Sequence, residues 1–71
     1  MPRKNIRSTR NAVKRKLERN ITDEQIQQTL DNPDYTISHD GRRVAVKQFA
    51  GKIVTVVYIE KETFIKIITA Y

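Results

Sequence analysis

From Tyr35 onward the apolar residues recur at every second position, and turn signals cut the stretch into short pieces. A period of two puts alternate side chains on opposite faces, which is the pattern of strands. Asp40-Gly41 is a strong two-residue hairpin signal, because such a turn needs positive φ at both positions. Ala50-Gly51 is a weaker one, and Glu60-Lys61-Glu62 makes a polar turn. These signals predict strands at about 35–39, 42–49, 52–59 and 63–70. Connections this short join antiparallel neighbours, so a four-stranded antiparallel meander is expected.

Before Tyr35 the pattern is helical. Ser8 or Thr9 can cap a helix running to about Arg19, with Val13 and Leu17, four apart, as its apolar stripe. Asn11, Arg15 and Arg19 are also spaced by four and fall roughly opposite that stripe. Thr22-Asp23-Glu24-Gln25 fits a capping box, with Ile21 and Ile26 at the staple positions. Asp23 and Glu24 suit the positive end of that second helix, and Ile26 and Leu30 form its buried stripe. Asn32-Pro33 ends it, since the residue before proline avoids the helical region. Residues 1–8 read as a basic arm, with room for a short extended piece around Ile6. The expected architecture is α+β in one domain over 1–71: arm 1–8, two helices in 9–32, sheet in 34–71.

A chain of 71 residues buries only about 60% of the surface its unfolded form exposes. It has no cysteine and a single histidine, so neither a disulfide nor a closed zinc site can staple it, and no cofactor is expected. The third and fourth strands are apolar on both faces: Val54, Val56 and Tyr58 against Ile53, Val57 and Ile59, then Ile65 and Ile67 against Phe64 and Ile68. Two short helices cover one face of such a sheet. The other is left as ordinary exposed surface or is covered by a partner protein or a second copy. No apolar run approaches the roughly 18 residues of a membrane span. The basic N-terminus lacks a following apolar region, so no signal peptide is read and a cytoplasmic location is expected.

The excess charge is local. Met1 to Arg19 holds eight basic residues and one acid, a balance of +7, while the rest holds six basic and seven acidic residues, a balance of −1. A small domain so polarised points to a polyanion at one end, with nucleic acid the commonest partner and RNA the first expectation. Arg7, Arg10 and Lys14 are candidate nucleic-acid contacts, and Arg43 and Lys47, which share a strand face, extend the set. The plain alternative for each is a solvated charged surface.

The stretch from Thr9 to Pro33, T-R-N-A-V-K-R-K-L-E-R-N-I-T-D-E-Q-I-Q-Q-T-L-D-N-P, resembles the opening of a small prokaryotic domain family. That family shows His-Ala, an Arg four residues after the His and another eight after it. A Gly-Ile-Ser/Thr turn, an acidic helix and Asn-Pro follow. Its closing Thr-x-Tyr resembles I-I-T-A-Y here, so the match spans about residues 9–71. The family is grouped with the RelE/ParE and colicin-type ribonuclease fold. The resemblance therefore implies a RelE/colicin-like fold, toxin-type RNA cleavage without metal, and a cognate antitoxin or immunity protein as partner.

Carried over position by position, Ala12, Arg15, Arg19, Thr69 and Tyr71 match the family pattern, and Asn11 stands where it has histidine. Metal-free RNA cleavage needs a base for the 2′-hydroxyl, an acid for the leaving oxygen and cations for the phosphorane. Arg15 and Arg19 can clamp phosphate. An amide cannot exchange a proton near neutral pH, so Asn11 makes the chain inactive or weak as written, whether as a natural variant or a silenced one. Asn20 replaces the family's glycine and tolerates the left-handed helix cap. Thr69 is either a phosphate donor or an ordinary strand residue. Tyr71 and Tyr58 are candidate base-stacking residues, with core packing as the alternative for Tyr58. His39, beside the Asp40-Gly41 turn, replaces the missing acid or base only if that tip folds toward Arg15. Two other functions stay open: a non-enzymatic RNA- or DNA-binding module using the same helix, and a protein-interaction module using the open sheet face, including a homodimer.

Overall fold

A computed structural model of the chain describes residues 5–71. The front of the expected arm, with Arg3 and Lys4, lies outside the described residues. The elements run β1 (Asn5–Ser8), α1 (Arg10–Glu18), α2 (Asp23–Asp31), β2 (Tyr35–His39), β3 (Arg42–Phe49), β4 (Lys52–Glu60) and β5 (Phe64–Ala70). The class is α+β as expected. The sheet has five strands, not four, in the order β1-β5-β4-β3-β2. It is mixed, because β1 pairs parallel to β5, with Ile6 beside Ile65 and Ser8 beside Ile67. Only Ile6 of this four-residue strand turns inward, and its partner strand lies at the other end of the sequence. No local period can show such a pairing.

The hairpins follow the turn chemistry. Asp40 and Gly41 have φ of 50° and 76° and leave His39 paired with Arg42. Gly51 has φ of 84° and leaves Phe49 paired with Lys52. Both helix termini between α1 and α2 are built as the residues predict. Asn20, at φ 54°, ends α1: its N–H donates to the Leu17 carbonyl at 3.3 Å and the Ile21 N–H donates to the Lys16 carbonyl at 2.9 Å. This double bond satisfies carbonyls that the helix would otherwise leave open. Thr22 and Gln25 exchange reciprocal bonds of 3.0 and 3.1 Å. Lysines from the sheet close the carbonyl ends: Lys52 Nζ donates to Asn20 O at 2.7 Å, and Lys47 Nζ to Asn32 O at 3.0 Å.

Both helices lie on one face of the sheet. Ala12, Ile21 and Ile26 pack with Ala45, Val54, Val56, Tyr58, Ile67 and Ala70, all from the same side of their strands. Tyr58 is buried in this core, so packing rather than base stacking accounts for it. A bulge lets β5 keep its apolar residues inward: Ala70 opposes Val56 and Ile67 opposes Tyr58, leaving Ile68 as the extra residue. The one fully buried polar side chain among the described residues, Thr29, donates back to the Gln25 carbonyl at 2.7 Å.

The apolar stripe expected on α1 is corrected. Val13 is 40% exposed and Leu17 69% exposed, while Ala12 is buried and Lys16 turns partly inward. The cause is Thr9. Its backbone N–H donates to Ile67 O at 3.1 Å, its hydroxyl donates to Ile68 O at 2.9 Å, and the same hydroxyl oxygen accepts from the Ala12 N–H at 3.1 Å. These bonds pin the first turn to β5 and turn Ala12 toward the sheet, where only a small side chain permits close approach. Lys16 follows one turn later, and its ammonium meets Asp23 at the start of α2.

Thr9→Val keeps the shape and removes both hydroxyl bonds. We expect it to destabilise the fold by about 1–2 kcal/mol, the sum of a lost cap and an unsatisfied acceptor. Urea unfolding measures this, and a loss below a few tenths of a kcal/mol would mean that the hydroxyl does not hold α1.

Candidate nucleic-acid interface

With Ala12 and Lys16 facing the sheet, a rotation of about 100° per residue places Lys14 opposite them and Arg10 next to it. Asn11 and Arg15 lie along one flank, Val13 and Leu17 along the other. Arg10, Asn11, Lys14, Arg15 and Arg19 are all exposed. Arg15 Nη1 lies 3.6 Å from Glu18 Oε2, an exposed pair of little intrinsic strength. Arg10, Lys14 and Arg19 make no ion pair among the described residues. Two uncompensated cations, Arg10 and Lys14, and the loosely held Arg15 thus lie along α1, with Arg19 at its C-cap, and Asn11 sits in the first turn beside them.

The structure separates the other residues expected at this site. Thr69 opposes Val57 across the β4–β5 ladder. Tyr71 exchanges backbone bonds of 2.7 and 2.8 Å with Thr55. Val57 and Thr55 alternate with the buried Val54 and Val56, so Thr69 and Tyr71 point to the face away from α1. The expected grouping of these two with Asn11, Arg15 and Arg19 is therefore corrected: alternation along β5 puts the sheet between them.

Arg43 and Lys47 do share a face, and it is the helix-bearing one, since they oppose Tyr58 and Val54. Both are engaged there. Arg43 Nη1 meets Glu60 Oε1 at 3.1 Å, and Lys47 holds the end of α2. They lie on β3, apart from α1, which packs on β5 and β1, and so do not prolong the α1 surface. His39 sits on β2 at the opposite edge of the sheet, with its Nε2 3.2 Å from Asp40 Oδ2. Three strand spacings separate β2 from β5, about 14 Å. His39 therefore cannot stand in beside Arg15.

The open face has two halves. Tyr35, Ile37, Ile53 and Tyr71 are each more than half exposed on it, making an apolar area centred on β2 to β4. Toward β1 it becomes basic: Arg7 and Lys66 are register neighbours, and the Arg7 guanidinium lies 4.6 Å from the centroid of the Phe64 ring. Phe64 and Lys66 are residues that sequence reasoning did not single out for binding. Their alternation along β5 was visible, but the neighbour that makes them a cluster, Arg7, is brought in by the parallel pairing.

Among the described residues no group of three or more His, Asp or Glu side chains gathers where a metal ion could sit, and no helix is long and apolar enough to cross a membrane. The sequence model of a family described as a domain of unknown function, DUF4258, matches residues 8–71. No curated protein and no solved structure matches the chain.

Proposed function

This chain belongs to the DUF4258 family, and we propose that it is an RNA-binding domain of the toxin endoribonuclease type, built on a RelE/colicin-like scaffold. It works without metal and is silent or weak in cleavage because Asn11 occupies the position of the proton-transfer residue. The observation that carries RNA binding is the row of cations along α1 and its C-cap, of which Arg10, Lys14 and Arg19 lack a carboxylate partner among the described residues. Like charges left uncompensated on a helix repel one another and favour an incoming polyanion. The ordered resemblance from Thr9 to Tyr71 supports the ribonuclease part, with Arg15 and Arg19 as the phosphate clamp.

One observation favours a second reading, a non-enzymatic RNA- or DNA-binding module. Thr69 and Tyr71 lie across the sheet from α1, so the helix holds phosphate-binding groups with no acid or base among them. RNA cleavage by this chain beside an Asn11→His variant decides between the two, and RNA binding is common to both.

The apolar half of the open face is assigned in this reading to a cognate antitoxin or immunity protein, for which an acidic partner would complement a net charge of +6. A second copy of the chain is the competing occupant. Light scattering at micromolar concentration is expected to show a monomer that binds the purified product of an adjacent gene. A stable dimer would assign the face to self-association, and a monomer that binds neither would remove the face from the account.

A further inference from the structure

The edge formed by β1 and β5 holds a second cluster of charge, on the face opposite α1. Arg7 and Lys66 stand side by side in the parallel ladder, both exposed. Neither makes an ion pair among the described residues, and residues 1–4 contain no acid. Adjacent like charges on neighbouring strands cost stability, modestly at an exposed site. The Arg7 guanidinium is held over the Phe64 ring. That contact holds the side chain in place without neutralising its charge. Beside the pair lies a depression of about 220 Å³ lined by Arg7, Ser8, Thr9, Phe64 and Lys66.

From this arrangement we propose that Arg7 and Lys66 form an anion seat that takes one phosphate of a single-stranded RNA, so that the bound strand passes from α1 around the β1 edge onto the open face. The inference rests on the RNA-binding reading above. The charge of Arg7 and Lys66 sets the ligand class, an anion, and the small open depression fits one group of a longer chain. Sites that enclose a whole small molecule span roughly 300–1,000 Å³. This one is smaller and open, suited to a phosphate and part of its sugar within a longer chain. A planar guanidinium and a lysine ammonium on adjacent strands present donors from two directions to one phosphate group. Thr9 contributes shape only, since its hydroxyl is already spent on Ala12 and Ile68. The cost of keeping two cations adjacent is then a feature of the unbound state that phosphate removes.

The test is binding of a fluorescent oligouridylate, followed by anisotropy at several salt concentrations. The wild-type chain is set beside Arg7→Gln/Lys66→Gln, and beside a variant with the α1 cations neutralised. We expect the Arg7/Lys66 variant to bind about 10-fold more weakly, with the slope of log affinity against log salt reduced by about 0.7, the value for one lost phosphate contact on a single strand. Lys66→Gln alone is expected to raise the thermal midpoint by about 1–4 °C while weakening binding, because it relieves the like-charge pair. An Arg7/Lys66 variant that binds with unchanged affinity and slope, while the α1 variant loses affinity, would overturn the seat and leave the α1 reading intact. A wild-type chain that binds no oligouridylate at low salt would overturn both.

Discussion

Asn11→His is expected to raise RNA cleavage by about 10²-fold or more over the chain as written. Position 11 is exposed in the first turn of α1, four residues before Arg15. The positive end of the helix dipole and the neighbouring guanidinium both disfavour an imidazolium there. An imidazole introduced at this position would therefore be neutral at pH 7 and able to take the proton of a 2′-hydroxyl. The 2′-oxygen would attack phosphorus to form a 2′,3′-cyclic phosphate, the P–O5′ bond would break with the 5′-oxygen taking a proton from solvent water, and Arg15 would stabilise the charge on the phosphorane. Arg15 is available for this because its partner Glu18, at 3.6 Å, holds it only loosely. Adding Arg15→Ala to the Asn11→His chain should then remove most of the gain. Cleavage of a labelled RNA under single-turnover conditions measures both steps. Equal cleavage by the wild-type chain and Asn11→His would take the acid–base role away from position 11. The absence of cleavage from both would favour the binding module.

Local chemistry made much of the fold legible. The Asp40-Gly41 turn, the Thr22–Gln25 capping box and the left-handed Asn20 each act over a few residues, and all three stand where the residues imply. Alternation also put Val54, Val56 and Tyr58 on one face, without showing that it is the face the helices cover. The failures are non-local. β1 carries one inward apolar residue and exists through its pairing with β5. The rotation of α1 is set by Thr9 bonding to Ile67 and Ile68, against a period that favoured Val13 and Leu17. Two apolar residues gave that period little weight, and a bond formed with the far end of the chain overrode it. The site shares this division. Spacing sets Asn11 and Arg15 on one side of α1, but their exposure follows from the seating of Ala12 against the sheet, which spacing alone does not show. Placing Thr69 and Tyr71 relative to them required the register of β5, and its bulge at Ile68 shifts the alternation by one. Lys47 shows the converse case, a charge expected on a binding surface whose ammonium closes the end of α2.

The central claim is that α1 presents a polyanion-binding face. Neutralising Arg10, Lys14, Arg15 and Arg19 to Gln leaves Ala12, Lys16 and the Thr9 bonds in place, so the helix should stay seated on β5. Glutamine is as good a helix former as the residues it replaces. Circular dichroism and thermal unfolding would confirm that the fold persists. If each cation contacts one phosphate of a single strand, each contributes about 0.7 to the salt slope and the four together about 2.8. Over a fourfold rise in salt, from about 50 to 200 mM, that difference amounts to roughly 50-fold in affinity. Arg15 should contribute least of the four, since phosphate must first displace Glu18. The most direct measurement is therefore the slope of log affinity against log salt for a single-stranded RNA, compared between the wild-type chain and the fourfold variant. The account predicts a wild-type slope steeper by about 2–3 and a variant that binds weakly at every salt concentration. Equal slopes in two folded proteins would contradict it and move the RNA surface off α1.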